Sequence, residues 1–137
     1  MKKILLFAIF LSLIINYSCI SKKDYPDISG LWHFSIHWTS GDCPPEAGIV
    51  DEDFTLTITQ NEDILSAIDE EQISFTGSID DDGNFSLDAS WSDEHSNVSV
   101  SINGGLTSEN INGTGSIHVV VPGEGECTMN GDITAHR

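Results

Sequence analysis

From Ile28 onward, apolar and polar residues alternate along the chain in short runs. The clearest run covers residues 31–39, where the even-numbered positions are large and apolar and most odd-numbered ones are polar. Alternation with a period of two is the pattern of a β-strand that buries one face. The pattern predicts eight strands, over residues 31–39, 54–60, 64–68, 73–80, 85–91, 98–103, 111–121 and 127–136.

The segments between these runs carry turn residues. Asp81-Asp82-Gly83-Asn84 predicts a hairpin between the fourth and fifth strands, because Asp-Gly and Gly-Asn accept positive φ angles. The end of the sixth strand has two interpretations, since residues 103–105 and 108–110 both have turn chemistry. This strand either ends near Asn103 or continues to Thr107 across a β-bulge.

Eight short consecutive strands with one apolar face predict an all-β domain. We expect an eight-stranded antiparallel up-and-down β-barrel, with a β-sandwich as the alternative. The cysteines favour the barrel, because closure makes the first and eighth strands neighbours and brings Thr39 beside Cys127. Cys43, four residues beyond Thr39, can then reach Cys127. Closure also removes exposed sheet edges.

The N-terminal residues have a different organisation. A positive start, Met1 to Lys3, precedes an apolar run from Ile4 to Ile15 that is shorter than the roughly 20 residues of a membrane-spanning helix. This pattern predicts a signal peptide over residues 1–18. The chain is therefore expected to be exported.

The end of this leader resembles the lipobox of bacterial lipoproteins, since Ser18 immediately precedes Cys19. The resemblance implies that Cys19 is lipidated and that residues 19–27 form a tether. The alternation that begins at Ile28 then gives a barrel domain over residues 28–137. The protein would then be held by its lipid anchor in the cell envelope, at the outer membrane or the periplasmic face. The alternative is ordinary cleavage, which gives a soluble periplasmic or secreted protein.

If lipid occupies Cys19, then Cys43 and Cys127 remain as an even pair in an oxidising compartment. A disulfide between them is the default expectation. It would close a loop of more than eighty residues, for which chain entropy gives roughly 4 kcal/mol of stabilisation. No Cys-x-x-Cys spacing occurs, which disfavours a cysteine metal site.

The chain is strongly acidic. Beyond Ser18 it has 22 acidic residues against Lys22, Lys23 and Arg137, a formal charge of −19. Such a field repels nucleic acid, which excludes nucleic-acid partners. Most of the acidic residues fall in predicted loops, which indicates a role in solubility. A cationic protein partner or divalent cations are the alternative.

Gly30-Leu31-Trp32 opens the first predicted strand and Arg137 ends the last. This pairing is similar to the calycin pattern of lipocalins and avidins, in which a Gly-x-Trp tryptophan packs near a basic residue at the closed barrel end. In those families the barrel mouth holds a small molecule. The resemblance implies a small apolar ligand, for which the best position is near Trp38 and Trp91.

The inward-facing aromatic residues are the candidates for contacting that ligand. We predict a ligand-binding set of Trp32, Phe34, Trp38, Phe75 and Trp91. The alternative is that these side chains simply fill the interior, because an eight-stranded barrel is only just wide enough for side chains. The small residues on the same face either interdigitate with the aromatics or leave a cavity.

The histidines raise the question of a metal site. His33 and His37 lie roughly 13 Å apart along one strand, too far to share an ion. A loop over residues 122–126 would place His118 opposite Asn130 rather than another histidine. Either His33 or His37 together with His136 is an alternative transition-metal site, but we expect solvated surface histidines and no metal.

The sequence also bears on calcium binding and on catalysis. Asp80, Asp82, Asn84 and Asp88 resemble calcium-loop oxygen ligands in spacing but lack the terminal glutamate, so a plain turn is expected. The chain has no Gly-x-Ser-x-Gly elbow and no isolated carboxylate within an apolar run. We therefore expect no catalytic residues and no cofactor.

Together these features predict a non-catalytic, lipid-anchored envelope protein that binds a small apolar ligand in a lipocalin-like barrel. The alternative is a protein-interaction or inhibitor module directed at a cationic partner such as lysozyme or a protease, which the negative charge would steer towards it.

Overall fold

The computed structural model describes residues 23–137, which form a closed barrel of eight antiparallel strands. Each strand pairs with its neighbours in the chain, and the first pairs with the last. The predicted up-and-down barrel is therefore confirmed, and the sandwich alternative is wrong. The strands are β1 Gly30–Gly41, β2 Glu52–Asn61, β3 Ile64–Asp69, β4 Ser74–Ile79, β5 Asn84–Ser92, β6 Asn97–Thr107, β7 Asn110–Val121 and β8 Gly125–His136.

The predicted signal peptide and Cys19 lie outside the described residues. A single short 3₁₀ turn, Pro45–Ala47, interrupts the loop between β1 and β2. Within residues 23–137, no helix has the length and apolar character needed to cross a membrane.

The seam between β1 and β8 closes the barrel. Phe34 lies opposite Ala135, and the register shifts between Trp38 and Ser40, where a β-bulge occurs. Just beyond the seam, Cys43 and Cys127 form a disulfide with their Cα atoms 4.8 Å apart. The predicted disulfide is confirmed. It can form because the first and last strands are antiparallel neighbours, which places the end of β1 beside the start of β8.

The structure resolves the end of the sixth strand. β6 runs to Thr107, which confirms that the strand continues past Asn103. It pairs with β7 in one unbroken register, so only the predicted bulge is wrong. The turn consists of Ser108 and Glu109, and Ser108 adopts a φ of 60°. Residues 103–105, which contain two glycines, remain in β6 because the strands on both sides, β5 and β7, pair with them.

The predicted register of β7 against β8 is wrong by two residues. Gly125 already belongs to β8, and Glu124 N–H donates to the carbonyl of Val121, which makes the turn tight. His118 therefore lies opposite Thr128 and not opposite Asn130. The shift is an even number of residues, so the inward and outward faces remain as predicted.

The inward-facing apolar side chains form one core. Small residues alternate with large ones in it, since Gly104 faces the Phe85 ring and a Cβ atom at Gly115 would lie 2.6 Å from Ile36 Cδ1. At these two positions the small residues interdigitate with large neighbours instead of leaving a cavity. The largest fully buried side chains are Trp32, Phe34, Ile28, Leu56, Leu65, Leu87, Ile102, Ile111 and Ile133.

One end of the barrel is sealed by the segment before β1. Ile28 is fully buried there, and its carbonyl accepts a 2.7 Å hydrogen bond from Trp32 Nε1. The Gln60 side chain accepts from Ile28 N–H and donates to the carbonyl of Pro26. We call this the closed end. The opposite end, which carries the loop over residues 42–51 and the turns at 70–73, 93–96 and 122–124, is the open end.

Candidate functional site

The inner face of β5 to β8 remains apolar up to the open end. Trp91 lies opposite Val98, Val98 opposite Val119, and Val119 opposite Cys127, which gives one continuous row across four strands. The next row towards the core runs from Ala89 through Val100 and Ile117 to Met129. Most of these side chains are half-buried. We define the apolar mouth as the half-buried residues Trp38, Trp91, Val100, Ile117, Val119 and Met129.

Along β5 and β8, burial decreases towards this mouth. Along β5, Leu87 is fully buried, Ala89 is 7% exposed and Trp91 is half-buried. Along β8, Ala135 and Ile133 are buried whereas Met129 is half-buried. The same alternating face therefore changes from a packed core at the closed end to a surface that solvent reaches at the open end.

Trp38 is held in place by the loop that follows β1. Its Nε1 donates to the Val50 carbonyl and its backbone N–H donates to Asp51 Oδ1, both at 2.9 Å. The loop is fastened to β8 by the disulfide and by two hydrogen bonds between Asp42 and the Thr128 backbone. Because the indole nitrogen is already paired, the ring can offer a ligand its apolar surface without a conformational change.

The structure divides the five predicted ligand residues into two groups. Trp32, Phe34 and Phe75 are buried in the core, and Phe34 stacks on Phe54 with ring centres 5.4 Å apart. Trp38 and Trp91 are half-buried at the open end. Only this second pair lies where a ligand can reach the rings without opening the core.

The aliphatic part of the mouth was not predicted from the sequence. Val100, Ile117, Val119 and Met129 alternate exactly as core residues do, so periodicity alone does not distinguish them. The length of the strands is the signal that could have indicated these residues, because a longer strand carries the apolar face further towards the barrel end. The run 111–121 is the longest one predicted, and β7 has twelve residues whereas β3 and β4 have six each.

Carboxylates surround the mouth. The open-end loops and strand ends carry an acidic rim of exposed residues: Asp42, Glu46, Asp51, Glu52, Glu70, Glu71, Asp93, Glu94, Glu124 and Glu126. Within residues 23–137 the only lysine and arginine are Lys23 and Arg137, and both lie at the closed end. The described part of the open end therefore combines an apolar centre with a negative rim that contains no lysine or arginine.

Local hydrogen bonds keep several rim carboxylates ionised. The backbone N–H of Trp38, followed by the His37 side chain, lowers the pKa of Asp51. The hydroxyl and then the backbone N–H of Thr55 lower the pKa of Glu70. The backbone N–H groups of His95 and Ser96 lower the pKa of Asp93. These groups carry their negative charge at neutral pH.

The geometry of residues 80–84 is that of the predicted turn. Asp80, Asp81 and Asp82 place carboxylate oxygens within 4.8 Å of one another. The Asp80 carboxylate, however, accepts hydrogen bonds from the backbone N–H groups of Asp82 and Asn84 and from the Asn84 side chain. Asp88 lies further along β5 and accepts a hydrogen bond from Ser101. The four oxygen-bearing residues therefore do not converge.

The histidines occupy separate surface positions, with one exception. His37 contacts Asp51, while His118 contacts Thr128 and lies 3.4 Å from a Glu126 oxygen. His33 and His136 face each other across the β1–β8 seam with stacked rings, 5.5 Å between centres. Two alternative pairs were predicted, His33 or His37 with His136. The structure places His33 beside His136, whereas His37 contacts Asp51.

Comparisons with known proteins give no relative: the chain matches no protein-family model, no curated protein and no solved structure.

Proposed function

We propose that this protein is a non-catalytic binding module of the cell envelope, held by lipid on Cys19, and that it binds a small apolar molecule at the apolar mouth. The observation that carries the proposal is the change in burial along β5 and β8, where one apolar face leaves the packed core and becomes accessible. The mouths of β-barrels are among the preferred places for small ligands. If Cys19 is not lipidated, the same module is soluble and periplasmic or secreted.

The proposed ligand is small because the interior below the mouth is occupied. Ile36 fills the space beside Gly115, and the Phe85 ring fills the space beside Gly104. A ligand therefore rests against Trp38 and Trp91 and does not enter deeply, unlike a molecule enclosed in a wide barrel. Each 100 Å² of apolar surface that it removes from water contributes about 2.5 kcal/mol before the costs of association.

The charge distribution supports a binding role over a catalytic one. Within residues 23–137 no polar or charged residue is buried. The shifted carboxyl groups, Asp27, Asp51, Glu70, Asp80 and Asp93, all have lowered pKa values. A carboxylic acid that serves as a general acid needs a raised pKa, which burial ordinarily supplies.

The test is a titration with the neutral apolar fluorophore N-phenyl-1-naphthylamine. Val119 and Val120 are adjacent on β7 and point to opposite faces, so Val119→Ser alters the mouth and Val120→Ser is its matched control. We expect Val119→Ser and Trp91→Ala each to weaken binding at least about fivefold, in line with the loss of one or two apolar groups from a pocket. Val120→Ser should bind as the wild type does. Equal affinity in all four proteins would refute a ligand site at the mouth.

A second candidate function is supported by the acidic rim. Ten exposed carboxylates and no lysine or arginine occupy the described part of the open end, which suits docking to a cationic protein such as lysozyme or a basic protease. In this case complex formation with lysozyme should be seen by gel filtration at low salt and lost near 0.5 M salt, where the Debye length falls to about 4 Å. Separate elution at low salt would exclude this function for lysozyme.

A further inference from the structure

A row of polar side chains crosses the β1–β8 seam on the outer face of the barrel. Asn110 lies opposite His136, His136 opposite His33, and His33 opposite Thr55, so four neighbouring strands contribute one residue each. Beyond Thr55, Glu70 reaches back and accepts hydrogen bonds from the Thr55 backbone N–H and hydroxyl. We propose that His33 and His136, assisted by Glu70, bind a divalent transition-metal ion of the kind that prefers imidazole ligands, such as Zn²⁺.

The spacing of the two imidazoles fits a shared ion. Their ring centres are 5.5 Å apart and the ring planes differ by 25°. An ion at about 2.0 to 2.1 Å from one nitrogen of each ring, with tetrahedral angles, places the ring centres about 5 Å apart. Rotation of the side chains about their own bonds therefore suffices to bring both nitrogens to one ion. The strands need not move.

A carboxylate supplies the third donor. A surface cleft of about 320 Å³ is lined by both histidines together with Asp53 and Glu70. Both hydrogen bonds from Thr55 fall on Glu70 Oε2, so Oε1 is the oxygen left for a cation. Two imidazoles and one carboxylate are a donor set that zinc commonly takes, with water completing the tetrahedron.

The barrel fixes the backbones of both histidines before any ion arrives. His33 lies between two hydrogen-bonded neighbours, β8 and β2, and His136 lies between β7 and β1. Both backbones are thus part of the closed sheet, so binding has to order side chains only. The large negative charge of the domain also attracts cations to its surface. The two histidines lie on the outer wall and Glu70 joins them from the acidic rim, whereas the proposed apolar ligand rests on the inward-facing side chains of the apolar mouth.

The other histidines provide matched controls. His37 contacts the carboxylate of Asp51, and His118 lies near that of Glu126. Each therefore offers one imidazole and one carboxylate without a second imidazole facing it. If any surface histidine beside an acidic group bound Zn²⁺ equally well, these two positions would do so.

The experiment is calorimetric titration of the protein with Zn²⁺ in the presence of excess Ca²⁺, which occupies sites made of carboxylates alone. We expect one Zn²⁺ per chain. His33→Asn or His136→Asn should weaken binding at least tenfold, because even partners outside the ligand shell typically account for about 10- to 100-fold. His37→Asn and His118→Asn should remain within about twofold of the wild type.

Wild-type affinity in His33→Asn or His136→Asn would overturn the proposal, as would an equal loss in the two controls. Should either seam variant fail to fold, the wild type itself gives the answer through the ring nitrogen resonances of its histidines. Zn²⁺ should shift the resonances of His33 and His136 together at one equivalent. A shift of neither, or of only one of them, would also overturn the proposal.

Discussion

The guanidinium carbon of Arg137 lies 4.6 Å from the centre of the Trp32 ring. The last residue of the chain thus covers the tryptophan of the first strand, and Arg137 Nη2 also donates to the carbonyl of Asp27 at 2.8 Å. A tryptophan packed near a basic residue is what the similarity of Gly30-Leu31-Trp32 and Arg137 to calycins implies for the closed end. Membership of that family stays a prediction. The contact itself ties the two termini of the barrel together.

The first prediction concerns the Arg137 contact. Arg137→Ala should lower the free energy of unfolding by about 1 to 2 kcal/mol, because it removes a cation–π contact and a hydrogen bond. Lys23→Ala is the control, since Lys23 forms only an exposed ion pair with Asp81 and its removal should cost under about 0.5 kcal/mol. Urea denaturation measures both. Equal stability of the two variants would show that Arg137 does not hold the closed end.

The second prediction concerns packing at Gly115. Gly115→Ala should destabilise the barrel by about 1 to 3 kcal/mol, because the new Cβ would lie 2.6 Å from Ile36 Cδ1. Ile36→Val removes that methyl group and should cost about 0.5 to 1.5 kcal/mol alone. The double variant should be more stable than the sum of the two losses implies. Strict additivity in a urea-based double-mutant cycle would mean that the two side chains do not meet.

The third prediction concerns the disulfide. Cys43 and Cys127 are 84 positions apart, so their bond restricts a long loop in the unfolded chain. Replacing both with alanine should lower stability by roughly 4 kcal/mol by loop entropy alone. Thermal unfolding of the oxidised protein, the reduced protein and the double variant makes the comparison. The reduced and double-variant proteins should agree, and an unchanged melting temperature in both would contradict the prediction.

The fourth prediction concerns pH. The Thr55 hydroxyl holds the pKa of Glu70 below its ordinary value, so Thr55→Val should raise that pKa, which an NMR titration of the Glu70 carboxyl measures. A lowered pKa in the folded state adds stability above the unfolded-state pKa, and this stability disappears as pH falls through the folded-state value. The stability difference between Thr55→Val and the wild type should therefore be larger at pH 7 than at pH 3.

Thr57→Val is the control for this effect, because Thr57 is an exposed residue on the same face of β2. It should leave the Glu70 titration unchanged. If Thr57→Val moves the Glu70 pKa as much as Thr55→Val does, the hydroxyl bond is not the cause of the shift.

Sequence periodicity predicted the barrel because each strand buries one face, and the positions of Cys43 and Cys127 predicted its closure. The turn between β7 and β8 escaped prediction, since Gly125 and Glu126 have turn-like composition yet pair with Val121 and Val120. Hydrogen bonding to the neighbouring strand, which composition does not reveal, sets where the strand begins.

The candidate site could be predicted only in part, for a related reason. Trp32 and Trp38 lie on the same face of β1 and are equivalent by alternation. Their accessibility differs because Ile28 and Arg137 contact Trp32 at the closed end, whereas Trp38 is half-buried at the open end. Tertiary contacts at the two ends, and not the strand pattern, separate a core tryptophan from a surface one.

The three tryptophans of the chain allow the most direct test of the proposed site, because each indole N–H gives its own NMR signal. Trp32 is buried at the closed end, and Trp38 and Trp91 are half-buried at the open end. Titration with N-phenyl-1-naphthylamine should shift the indole signals of Trp38 and Trp91 and leave that of Trp32 in place. A shift of Trp32 as large as the other two, or binding of the probe with no shift of Trp38 and Trp91, would contradict a ligand site at the apolar mouth.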